Sequence, residues 1–73
     1  MTLSSLKLFD WDARLAVVDE DTLEGFVLSP ERGWLPVSSA YIGLDGRVID
    51  EVFARAAFGV ELEAFGSDPR ARP

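Results

Sequence analysis

The sequence predicts an α+β domain: a small antiparallel sheet of three strands and an irregular extended segment, one amphipathic helix over about 46–58, and a short final strand over about 60–65. Three observations carry that reading. Residues 6–29 alternate short apolar runs with turn chemistry, the apolar period changes to a helical one from residue 45, and "VELEAF" returns to strict alternation.

Residues 6–11, "LKLFDW", are rich in large apolar and aromatic types and read as the first strand. Residues 14–18, "RLAVV", form the second, which stops where three acids begin. Residues 24–29, "EGFVLS", form the third, with Phe26 and Leu28 on one face. "SPERG" is turn chemistry, because proline fixes φ and glycine closes the turn. "WLPV" follows as an extended piece whose Pro36 suits an edge. Val48, Ile49, Val52, Phe53, Ala56 and Ala57 then make one helical stripe, read as core, with Asp45 as N-cap and Gly59 just past the end. The rival reading of this stretch is a hairpin, since "IGLDGRVI" places Asp-Gly between apolar runs; a mixed form has a hairpin through 49 and a helix over 50–58. Val60, Leu62 and Ala64 alternate with Glu61 and Glu63 as a strand exposed on one face would. Residues 1–66 therefore read as one domain and 67–73 as a disordered tail.

The acidic triplet Asp19-Glu20-Asp21 invites a metal reading, which its spacing refuses. A calcium loop of EF-hand type needs side-chain oxygens at its fifth and twelfth positions, and counting from Asp19 these fall on Leu23 and Pro30. Asp10 and Asp12 cannot join it, because residues 12 and 19 sit at opposite ends of the second strand, roughly 20 Å apart at about 3.3 Å per residue. The triplet is read as a hairpin tip.

A chain of 73 residues buries only about 60% of its unfolded surface, and chains this short commonly rely on a disulfide, a metal or a partner. Cysteine and histidine are both absent, so association is the device left. With 48% apolar residues the body is expected to fold, and no apolar run approaches the roughly 20 residues that span a bilayer. The first residues show no basic stretch followed by a long apolar one, so a cytoplasmic protein is expected. A net charge of −6 repels phosphate, which argues against nucleic acid or an anionic membrane as direct partner.

Catalytic candidates are few. There is no histidine base or cysteine nucleophile, Ser38-Ser39 has no activating neighbour in sequence and is better explained as a turn or helix cap, and Gly43 and Gly46 lack phosphate-loop spacing. No enzyme activity, cofactor or metal is expected.

The aromatics point elsewhere. In a meander the turns near 11–13 and 30–34 share one end of the sheet, so Trp11, Asp12, Arg32 and Trp34 form a candidate partner-binding surface of hot-spot residue types. Phe58 and Phe65 exceed what one small core needs, which makes a homodimer plausible. The leading expectation is a non-enzymatic protein–protein interaction module, a small acidic accessory or regulatory protein. The alternative is an acidic inhibitor that imitates nucleic acid through Asp19, Glu20, Asp21 and Glu24 and fills a basic groove, in the manner of phage-type inhibitors, antitoxins or immunity proteins; that comparison rests on size and charge alone. A small-ligand-binding domain is the third.

Overall fold

The computed structural model describes residues 6–69; residues 1–5 and 70–73, and with them most of the expected tail, lie outside the described residues. Of that tail, Ser67 and Asp68 are half-buried and Pro69 is buried. The described residues form five antiparallel strands in one sheet and two helices, an α+β fold.

Strands β1 (Leu6–Trp11), β2 (Arg14–Asp19), β3 (Gly25–Ser29) and β4 (Gly33–Val37) run as a meander, so the extended piece around Pro36 is a full fourth strand. It forms one edge of the sheet, where a residue without an N–H interrupts no ladder on its outer side. The sheet order is β4-β3-β2-β1-β5, with β5 (Arg47–Ile49) antiparallel to β1 at the far edge.

Each meander turn has a local cause. Between β1 and β2 the loop is two residues, Asp12 and Ala13, at φ 54° and 63°. That is the mirror-image turn whose twist matches a hairpin, and it favours glycine at the second position. Ala13 carries a Cβ in the left-handed region. Ala13→Gly should therefore raise stability by about 0.5–1 kcal/mol, read as a higher urea midpoint. An unchanged or lower midpoint would mean the alanine costs nothing there.

Between β2 and β3 the Asp19 carboxylate accepts from the backbone N–H of Asp21 (2.8 Å) and Thr22 (3.3 Å), while its backbone N–H donates to the Glu24 carbonyl at 2.8 Å. Asp19 is only 3% exposed. It organises the tip from within, so the exposed acids of this turn are Glu20, Asp21 and Glu24. In the third turn the Ser29 hydroxyl accepts from the N–H groups of Glu31 and Arg32, and Gly33 (φ 78°) lies so close to the Phe65 ring that an added Cβ would come within 2.8 Å of it.

The sheet is covered on both faces. Leu6, Leu8, Leu15, Val17 and Leu28 point to the first, and Phe9 and Ala16 to the second. This explains why β2 reads Leu15-Ala16-Val17 without a polar break: both faces of the central strand are buried.

The sequence reading missed a helix. Residues Ser39–Asp45 form α1, capped by the Ser38 hydroxyl, which accepts from the Ala40 N–H, and closed by the Gly46 N–H donating to the Ile42 carbonyl at 2.7 Å. It lies on the second face with Ile42 as its buried residue, and carries the chain from the β4 edge to the β5 edge. The Asp45-Gly46 signal thus ends this helix; it neither caps the next one nor turns a hairpin.

Helix α2 (Glu51–Phe65) packs on the first face, with the Asp50 carboxylate accepting from the Phe53 N–H at 2.7 Å as its N-cap. Two expectations are corrected here. The helix starts at 51 and passes through Gly59, so residues 60–65 are its last turns and not a closing strand. A kink at Phe58 (φ −123°, ψ 20°), beside that glycine, interrupts it without ending it. The residues of α2 facing the sheet are Ala54, Phe58 and Leu62, spaced by four; of the stripe expected as core, Val48 and Ile49 lie in β5, where Ile49 does pack against the core, and Val52, Phe53, Ala56 and Ala57 are exposed.

Candidate functional site

Ten residues of α2 are exposed, and seven of these are apolar: Val52, Phe53, Ala56, Ala57, Val60, Ala64 and Phe65. Val52 and Val60 are 79% and 82% exposed. A helix lying on a sheet needs one apolar side, and a helix apolar on both belongs in a larger interior. Single exposed aliphatics are ordinary on any protein surface. Here they recur at 52, 53, 56, 57, 60 and 64 along one face, at the spacing by which a helix meets a second element.

The charges at this face are largely matched within the chain where they are positive. Arg55 donates to Glu51 one turn earlier, at 2.9 Å. Arg47 pairs with Asp10 across the β1–β5 ladder at 3.2 Å, and its guanidinium lies over the Phe53 ring, 5.7 Å from the centroid. Such exposed contacts each add at most about 1 kcal/mol. Glu63 borders a shallow depression with Val60 and Ala64, and a second one with Arg55, Gly59 and Leu62.

The surface expected from the tryptophans comes apart. Both turns do share one end of the sheet. However, Trp11 on β1 packs toward the second face and Trp34 on β4 toward the first, with two strands between them. Both rings are half-buried, while Asp12 and Arg32 are exposed in their separate turns. Trp34 also donates its Nε1–H to the Gly66 carbonyl at 3.0 Å, tying β4 to the end of α2. A shallow cleft lined by Leu23, Gly25, Phe26, Pro36, Val37 and Ser39 lies between the β2–β3 tip and the start of α1. Among the described residues, no group of three or more acidic side chains is placed to hold a metal ion, and no helix is long and apolar enough to cross a membrane.

Comparison with known proteins finds no match: no family model, no curated protein and no solved structure is significantly similar to this chain. The sequence groups Val52, Phe53, Ala56 and Ala57 on one stripe and assigns it to the core, whereas all four are exposed. The signal that would have corrected it is the second period, Ala54-Phe58-Leu62, which fills the inward side and leaves the other stripe over.

Proposed function

We propose that this chain is a non-enzymatic protein–protein interaction module, a small acidic accessory protein of the cytoplasm that binds through the outward face of α2. The observation that supports it is the apolar character of that face, where Val52, Phe53, Ala56, Ala57, Val60 and Ala64 are all exposed, in a chain whose charged residues are otherwise plentiful. The largest contiguous apolar patch on a monomeric protein, commonly about 300–600 Å², is often a functional surface.

The test is the double variant Val52→Ser/Val60→Ser. Both side chains are about four-fifths exposed, so stability should change by no more than about 0.5 kcal/mol per site. Wild-type protein, tagged and recovered from its own cells or studied alone by sedimentation, should show an association that survives 0.5 M salt, and the variant should lose it with an unchanged melting temperature. A variant that associates as the wild type does would sink the reading.

The acidic-inhibitor reading keeps one supporting observation. Twelve of the thirteen acidic residues lie within residues 1–66, and Glu20, Asp21 and Glu24 are exposed together at one tip. It requires the opposite pattern: association lost at 0.5 M salt, lost on neutralising those three residues, and indifferent to Val52 and Val60.

A further inference from the structure

We infer that the occupant of the α2 face is a basic amphipathic helix of another protein. The inference rests on the preceding reading and names the partner's chemistry. Two observations carry it, one of charge and one of size.

Net charge is −6, so two copies of this chain repel one another as whole bodies, which is how strongly charged proteins stay monomeric. At the face itself the imbalance persists. Arg47 and Arg55, the basic residues beside the apolar stripe, are engaged with Asp10 and Glu51. Glu61 and Glu63 flank Val60, and among the described residues neither forms an ion pair. A partner that covers Val60 brings its own flanking groups alongside these two carboxylates. Lysine or arginine there is attracted and carboxylate is repelled, a difference that sets partner choice as flanking charges do between paired helices.

The face is also the wrong size for a globular partner acting alone. Fifteen residues give at most about 22 Å of helix, bent at Phe58, and one side of it offers roughly 400 Å², about half of what each partner contributes to a standard protein–protein interface. A single helix laid along α2 matches that footprint, with anchors at three- and four-residue spacing reading Val52, Phe53, Ala56 and Val60. Val60 and Ala64 line a shallow depression with Glu63, which admits a side chain from the incoming helix beside that carboxylate.

The experiment uses the full chain and a synthetic 18-residue peptide of leucine and lysine patterned for one apolar helical stripe. Two controls accompany it: the same pattern with glutamate for lysine, and the same composition shuffled to destroy the stripe. Binding is followed by fluorescence anisotropy of labelled peptide at 0.15 M salt. The patterned basic peptide should bind about tenfold or more tightly than either control. Val52→Ser/Val60→Ser should weaken it about tenfold, and Glu61→Gln/Glu63→Gln about threefold. The triple change Glu20→Gln/Asp21→Asn/Glu24→Gln removes one charge more at the remote tip and should alter affinity less than about twofold.

Equal binding of the shuffled peptide, or loss governed by the tip and not by Glu61 and Glu63, overturns the inference. So does a dimer of the chain alone at micromolar concentration that Val52→Ser/Val60→Ser dissociates, although that result leaves the face a protein contact. Indifference of both peptide binding and self-association to Val52 and Val60 removes the inference and the reading beneath it together.

Discussion

Ile42→Ala should lower the stability of the domain by about 2–5 kcal/mol, a large share of what a chain of this length has to lose. Ile42 is fully buried and is the residue through which α1 enters the core. A helix of seven residues does not persist by itself in water, so its place on the sheet depends on that side chain and on the Ser38 cap. Packing around Ile42 is close: an added Cβ on Gly25 would meet its Cδ1 at 3.0 Å and the Val37 carbonyl at 2.6 Å. Removing the side chain leaves a cavity over Phe9 and Ala16 and loosens the path from β4 to β5. Urea unfolding followed by circular dichroism measures the loss. Leu44→Ala, on the same helix but largely exposed, is the control and should change stability by less than about 0.5 kcal/mol. Equal effects of the two would mean that α1 adds nothing to the core.

The same helix shows what the sequence left unreadable. "SAYIGLD" contains a single buried residue, too few for any period, and Gly43 in its middle weakens a helical reading further. Its only local markers are Ser38 at one end and Asp45-Gly46 at the other, and the latter is equally good turn chemistry. The first three strands were legible because their alternation is reinforced by turns with individual causes: an Asx-type tip at Asp19 and a serine-capped turn at Ser29. The second helix was legible in existence and not in orientation. Val60, Leu62 and Ala64 alternate, yet Leu62 also completes Ala54-Phe58-Leu62, and tertiary packing chose the helical pattern. Apolar residues on both sides of α2 made two stripes, and only a structure says which of them the sheet takes. The candidate site was hidden for that reason, since a stripe assigned to the core cannot also be sought on the surface.

Trp34 is the residue on which the two interaction surfaces make opposite demands. Trp34→Ala should cost about 2–4 kcal/mol, below the full value for a buried tryptophan because the ring is half-exposed. Trp34→Phe keeps most of the packing and removes the Nε1–H donor to Gly66, at a cost of about 1 kcal/mol. With the Phe65 ring resting on Gly33, that hydrogen bond fastens the last turn of α2 to the edge strand. Amide hydrogen exchange in residues 60–66 should therefore accelerate in Trp34→Phe ahead of any change in the central strands. If α2 carries the contact, Trp34→Phe should retain association with a partner at concentrations where the domain is folded, and Trp34→Ala should lose it only in step with unfolding. A Trp34→Ala protein that remains fully folded and no longer associates would return the contact surface to the end of the sheet bearing Trp11, Asp12, Arg32 and Trp34. The ring would then be an anchor for a partner, and α2's outer face would need another explanation.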